Sequence, residues 1–318
     1  MSSHQNDGGA VAADPVLPPL GGNRELYLLG ISFCMLWSSA FIAAKFGLTA
    51  APPLAQLTVR FLFAGALLWA GMLIMGKKWP ADRRDVMTGV ALGVLNNSAY
   101  LGLFFIAMQT ITAGLAALIA AMTPLATVFL AQPLLGEKIT KRALLGVALG
   151  LAGAAVVLRE RVGSGADDIT GVVLGGIAML CLTSGTILYR KRGSHSDPYV
   201  MVTVQTIASG LVLVPFSLVM EDWGSIQLNA TFFLSIAYLS IMLSVVALLI
   251  WFRMIRIAGA SRASAFHFLN PGLGMLFGFL ILGEPLGVVD LAGLVPIVFG
   301  IILVTWVPAG SKRAKPST

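Results

Sequence analysis

Runs of apolar positions, broken by charged or turn-forming residues, divide the chain into ten stretches. They lie at roughly 26–48, 54–76, 86–108, 111–134, 141–158, 169–189, 198–220, 230–252, 260–282 and 289–307. Most approach the ~20 residues that cross the hydrocarbon core of a bilayer. The fifth is short and only just spans. Apolar and polar residues do not alternate along the runs, so the pattern predicts helices and not the strands of a membrane barrel. Glycines and prolines inside the runs are compatible with helix, because neighbouring helices in a membrane re-satisfy a broken backbone ladder.

One phrase occurs twice. Met122–Thr140 reads MTPLATVFLAQPLLGEKIT, and Leu269–Gly287 reads LNPGLGMLFGFLILGEPLG. Pro124 and Gly136-Glu137 recur as Pro271 and Gly283-Glu284, 147 residues on (124 to 271, 137 to 284). The same offset pairs Phe105 with Phe252, Ala113 with Ala260, Gly146 with Gly293 and Gly153 with Gly300. Five runs make up each copy, so the second copy starts on the opposite side of the membrane. An odd-numbered repeat inserted upside down is an arrangement from which secondary transporters derive alternating access. The expected organisation is a flexible cytoplasmic N-terminus (1–25), a first repeat (26–160), a second repeat (161–307) and a basic cytoplasmic tail (308–318).

Composition agrees with lipid as the solvent. The chain is 57% hydrophobic and 11% charged, with a mean hydropathy of +0.89, against roughly 25% charge in an ordinary soluble domain. Of the 21 Lys and Arg residues, 17 fall in breaks on the side of the N-terminus, three (Lys45, Arg159 and Arg161) lie at the other face, and Arg60 sits inside the second run. The positive-inside rule then places both termini in the cytoplasm, and ten spans agree with that parity. The net charge of +7 thus marks a membrane face and not a nucleic-acid surface. Residues 1–23 do not read as a cleavable signal peptide, and the short loops suit a bacterial cytoplasmic (inner) membrane. Cys34 and Cys181 lie within apolar runs and suggest neither a disulfide framework nor a metal site. No cofactor is implied, and the lack of a GxxxxGK[ST] loop speaks against ATP-driven transport.

Intramembrane polar residues are the candidates for chemistry. An ionisable group such as Arg60, one or two turns inside the external end of the second helix, is costly in a membrane and therefore a functional hypothesis, with snorkelling to the headgroups as its alternative. Asn96, Asn97, Ser98 and Tyr100 cluster in the third run, where unpaired amides need partners or a polar cavity. His267 and Asn270 stand three positions apart in the ninth run and offer substrate hydrogen bonds or a proton shuttle, or else glue between helices. Trp37, Ser38 and Gln205 are further binding candidates, with Thr183, Ser184 and Thr186 as additional polar points. Pro124 and Pro271 each remove a backbone donor and are expected to make mirror-related bends, either hinges or static kinks. Glu137 and Glu284 sit at C-terminal helix ends, where the helix dipole disfavours them, so each calls for a basic partner or a hydrogen-bonded cap. The small-residue stripes of the fifth and tenth runs permit close backbone approach. Whether they join protomers or brace their own half stays open, as do monomer and homodimer.

Arg60-Phe61 after Ala50-Ala51-Pro52-Pro53, Pro124 through Gly136-Glu137, and Pro271 through Gly283-Glu284-Pro285 together resemble the drug/metabolite transporter superfamily with two EamA domains, over about residues 26–307. The resemblance implies a cavity bounded by helices 1–4 and 6–9, with helices 5 and 10 outside it. It also implies efflux of small metabolites, often amino acids, and assigns Pro124, Glu137, Pro271 and Glu284 to architecture. Helices 3 and 6 show no distinctive mid-depth aromatic cluster of the kind a specialised aromatic exporter needs. The expected function is a secondary exporter of small polar metabolites such as amino acids, working by alternating access with proton or counter-substrate coupling. A proton-independent exchanger and a membrane scaffold are the competing readings; catalysis is not expected.

Overall fold

A computed structural model describes residues 23–80, 82–135, 140–163, 165, 167–192, 197–251, 253–254, 257 and 266–305. Glu137, the segments 1–22 and 308–318, and residues 258–265 at the start of the ninth run lie outside them. The described chain is helical, without a strand: α1 (Asn23–Leu48), α2 (Pro53–Ile74), α3 (Arg83–Ala107), α4 (Ala113–Ala121), α5 (Thr123–Leu135), α6 (Lys141–Gly163), α7 (Ile169–Arg192), α8 (Pro198–Met220), α9 (Ala230–Trp251), α10 (Asn270–Leu282) and α11 (Val288–Thr305). Seven of these are long and apolar enough to cross a membrane, and α4–α5, α10 and α11 supply shorter apolar helices.

Local chemistry accounts for the helix boundaries. Asp82, Thr112, Asp197 and Asn229 each accept a backbone N–H from the first turn that follows them, which satisfies donors that have no partner within the helix. Pro53 and Pro198 sit in first turns, where the missing N–H costs nothing. The fifth run departs from expectation. Its helix, α6, is 23 residues long and runs on through Arg159-Glu160-Arg161. Buried partners of Arg161 hold that last turn inside the protein although its composition is charged.

Two departures from α-helix recur in the two halves. Gly93–Ala99 in α3 and Tyr238–Ala247 in α9 are π-helical. The 147-residue offset carries the first onto 240–246, inside the second. The chain also breaks at Met122, between α4 and α5, and forms a 3-10 turn at Phe266–Leu269 before α10. Pro124 and Pro271 are each the second residue of the helix that resumes. At the first break, Thr123 Oγ1 donates to the Ala120 carbonyl at 2.6 Å, so a side chain meets backbone demand beside the proline.

Hydrogen bonds and ion pairs join interhelical breaks in pairs. Gln227 N–H donates to the Ala50 carbonyl and Asp168 N–H to the Thr110 carbonyl. Lys77 pairs with Asp197, Arg253 with Glu25, and Arg84 donates to the Arg192 carbonyl.

The small-residue stripes of α6 and α11 pack against each other across the halves. A Cβ on Gly153 would come within 2.5 Å of the Gly293 carbonyl, and one on Gly300 within 2.4 Å of the Gly146 carbonyl. These glycines join the two halves, while Gly150 of the same stripe packs on Leu125 of its own half.

Candidate functional site

A cavity of ≈ 370 Å³ opens between α1, α2, α3, α7, α8 and α9, and no described residue of α6 or α11 reaches it. Its wall follows helical stripes. From α1 come Trp37, Ala40, Phe41 and Ala44; from α3 come Asn96, Asn97, Tyr100, Leu101, Phe104 and Phe105, followed by Met108 just past its end. Both sets step by three and four residues along one face. The contribution from α9 (Leu239, Leu243, Ser244 and Leu248) steps by four, one and four. That spacing follows from i→i+5 bonding in its π-helical segment, and the Ser244 hydroxyl reaches the carbonyl of Leu239, five residues back.

The wall is aromatic, contrary to the expectation for the third helix. Phe104 lies 5.3 Å from Tyr100 and 6.3 Å from Phe41 between ring centroids. Tyr100, Phe104 and Phe105 come from the third run itself, and Phe41 of α1 completes the cluster.

Arg60 lines the same cavity and carries its one formal charge among the described lining residues. The residue is 8% exposed, which places it in the protein interior and not snorkelling to a headgroup. Its guanidinium rests 5.3 Å from the Phe61 ring, its Nε has no hydrogen-bond partner, and no described carboxylate pairs with it. Ser240 Oγ donates to the Arg60 carbonyl at 3.2 Å, tying α2 to the π-helical part of α9.

The other candidates divide. Asn96, Asn97, Gln205 and Trp37 line the cavity with Arg60. Asn97 is committed to the wall itself: its Nδ2 donates to Ser209 Oγ at 3.0 Å, and its Oδ1 accepts from Gln205 at 3.4 Å. Asn96 Oδ1 is buried without a partner. Thr183, Ser184 and Thr186 return their hydroxyls to carbonyls four residues back in their own helix.

Ser38, His267 and Asn270 come together outside the lining. Ser38 Oγ donates to the Asn270 carbonyl, and the Asn270 amide meets His267 Nδ1 at 2.9 Å. The imidazole stands among Phe33, Trp37 and Trp251, with centroids 5.1, 5.6 and 5.3 Å away. This is hydrogen-bonded and aromatic contact between α1, α9 and the start of α10. Trp37 joins it to the cavity.

Glu284 has the hydrogen-bonded partners that its place at a helix end calls for, and they come from a different helix. Gly283 adopts φ +67°, a left-handed geometry that ends α10 and turns Glu284 towards the start of α4. There the carboxylate accepts the backbone N–H groups of Ala113 and, at 2.9 Å, Gly114. It therefore meets a helix N-terminus, where the dipole favours an anion, 170 residues away in sequence. Gly278 leaves the room: a Cβ there would lie 2.3 Å from Glu284 Oε2. Glu221 caps α2 in the same manner through Leu54 and Ala55.

Beside the Glu284 cap lies a buried ion network. Arg161 donates to Asp290 at 2.7 Å, to Thr112 Oγ1 at 2.8 Å and to the Pro285 carbonyl at 3.1 Å, and approaches Asp167 at 3.4 Å. Among the described residues no group of three or more His, Cys, Asp or Glu side chains could hold a metal ion.

The sequence model of the EamA-like transporter family matches residues 25–159 and again 169–306. The "uncharacterized inner membrane transporter YedA" of Escherichia coli strain K12 is 28% identical over 291 residues, 91% of each chain. The "uncharacterized transporter YvbV" of Bacillus subtilis is 27% identical, covering 88% of this chain and 91% of its own. "Protein PecM" of Dickeya dadantii is 27% identical over 89% and 92%. One solved crystal structure, 19% identical, superposes with a TM-score of 0.63 over 89% of this chain and 96% of its own, which shows a shared fold. With two matches that together span most of its length, the chain belongs to the EamA-like transporter family.

Proposed function

We propose that this membrane transporter exports small polar metabolites such as amino acids by alternating access, around the cavity that holds Arg60, Asn96, Asn97, Gln205 and Trp37. The observation that carries the reading is a cavity walled by helices of both halves that holds a buried cation with no described counter-ion.

The two halves are inverted five-helix repeats, 26–160 and 161–307, with both termini in the cytoplasm. This is supported by the basic breaks, by the family model's two matches, and by the recurrence of π-helices and proline-marked breaks at one offset. The breaks before Pro124 and Pro271 are the hinges. In this orientation Glu284 and Arg161 close the external end.

Coupling is by exchange with a counter-substrate. The described lining offers no carboxylate to carry a proton, and His267 lies outside it, which favours exchange over proton antiport.

A proteoliposome screen of amino acids and related metabolites, with and without an imposed pH gradient, tests both points. Uptake stimulated by substrate inside the vesicle and indifferent to the gradient is expected. Uptake driven by the gradient alone rejects exchange, and transport of no metabolite, with no cavity accessible from either face, supports a scaffold instead.

A further inference from the structure

We propose that the central cavity takes an organic monoanion, a carboxylate carried on an apolar ring-bearing body, with Arg60 as its counter-ion. The proposal rests on the transporter reading and departs from it in one respect: the preferred ligand is a monoanion, with the zwitterionic amino acids second.

The protein supplies its own comparison. Arg161 and Arg60 are 4% and 8% exposed. Arg161 is met by Asp290, Asp167, the Thr112 hydroxyl and the Pro285 carbonyl, the dense pairing that a buried charge with a structural role requires. Arg60 has an aromatic face at Phe61 and an unpartnered Nε. A guanidinium removed from water without an anion is costly, and a carboxylate ligand removes that cost in the planar two-point geometry that arginine favours.

The rest of the lining selects within the anions. Phe41, Tyr100 and Phe104 form a tilted aromatic wall, which suits a ring by offset or edge contact. Asn96 sets its Oδ1 against Gly185 of α7, where a Cβ would come within 1.8 Å of it. Its N–H₂ edge, a donor suited to a carboxylate, is then the side left for a ligand. An ammonium group finds no described carboxylate in the lining, and it meets the field of Arg60. The preference therefore runs anion, then zwitterion, then cation, for one and the same body. A cavity of ≈ 370 Å³ lies at the small end of ligand pockets, roughly 300–1,000 Å³, and fits a single ring with a short chain.

Three compounds sharing a phenyl ring and two-carbon chain separate the charge states: 3-phenylpropanoate, phenylalanine and 2-phenylethylamine. Their binding to the purified full-length protein in detergent is measured by calorimetry at pH 7.5, which avoids leakage of weak acids through vesicles. The expected result is tightest binding of 3-phenylpropanoate, at least tenfold over 2-phenylethylamine, with phenylalanine between them. Arg60→Gln is expected to weaken the anion at least tenfold and leave the amine unchanged or tighter, while Arg60→Lys keeps part of the preference.

Equal or tighter binding of the amine or the amino acid, no measurable binding of the anion, or an unaltered preference in folded Arg60→Gln overturns the proposal. The wild-type series decides the matter even where Arg60→Gln fails to fold. Anion-selective binding without transport of any compound refutes the transporter reading and leaves the ligand class standing. Transport confined to amines does the reverse.

Discussion

Replacing Glu284 with alanine removes the cap that joins the corner after α10 to the start of α4. The carboxylate accepts two backbone N–H groups, those of Ala113 and Gly114. A hydrogen bond to a charged group contributes roughly 1.5–3 kcal/mol. Because Glu284 is only partly buried, water replaces part of each, and the expected loss is about 2–4 kcal/mol. Glu284→Gln keeps one uncharged acceptor and is expected to lose about half as much.

The exposed Glu160 near the end of α6 serves as a control, where substitution by alanine is expected to stay within about 0.5 kcal/mol. Equilibrium unfolding of the purified protein in mixed micelles ranks the three variants. The cap also links the two halves, so in the proposed cycle its loss favours the state open at the Glu284 end, tenfold for each 1.4 kcal/mol of bias. Cysteine labelling at that end reads the shift. Stability and labelling unchanged in Glu284→Ala, equal to Glu160→Ala, would refute the assignment.

Other substitutions probe separate parts of the molecule. Gly153→Ala places a Cβ within 2.5 Å of the Gly293 carbonyl and is expected to destabilise by roughly 1–3 kcal/mol, while Gly163→Ala, with open space around it, is expected to be nearly neutral; the same unfolding assay compares them. Arg161→Met leaves the buried Asp290 and Asp167 without their cation and is expected to cost about 3–5 kcal/mol, a loss that an added Asp290→Asn partly restores in a double-mutant cycle. Burial pushes the Asp197 carboxyl up, but hydrogen bonds from Lys77 and the Tyr199 backbone, with the Lys77 charge, outweigh it and hold the group below the usual carboxylate range. Its stabilisation is therefore present above the unfolded carboxylate pKa and disappears as pH falls through the lower folded value. Asp197→Asn, at an exposed pair and helix cap, is expected to cost about 1 kcal/mol or less near neutral pH, and nothing below that window.

Much of the architecture was legible because lipid imposes a simple code. Apolar length located the seven helices long enough to cross a membrane and the shorter apolar ones, and the repeated prolines lie beside both breaks in helix. The sixth run, 169–189, continues as helix to Arg192 and the fifth to Gly163, since charged residues prolong a helix that hydropathy alone would end. The π-helices of α3 and α9 left no trace in the pattern. In stretches such as Tyr238–Ala247 nearly every position is apolar, so a change of period alters no visible alternation.

The site was harder to read. Arg60, Asn96, Asn97, Gln205 and Trp37 were singled out by polarity or size, and they do meet at one cavity. Ser38, His267 and Asn270 carried the same signal and instead bond one another between helices, because membrane bundles use polar groups as glue. Phe41 and Phe104 could have been found from their stripes at three- and four-residue steps. The destination of Glu284 could not, since it is set by tertiary packing against a segment 170 residues distant.

The central claim is that the cavity around Arg60 is a path reached in turn from each face of the membrane. A single cysteine at position 205, in a chain with Cys34 and Cys181 replaced by alanine, tests it with a membrane-impermeant maleimide applied to right-side-out and inside-out vesicles. Labelling from both faces, slowed at both by a transported compound, is the predicted result. Labelling from one face only, or from both with no protection by any transported compound, would contradict the account.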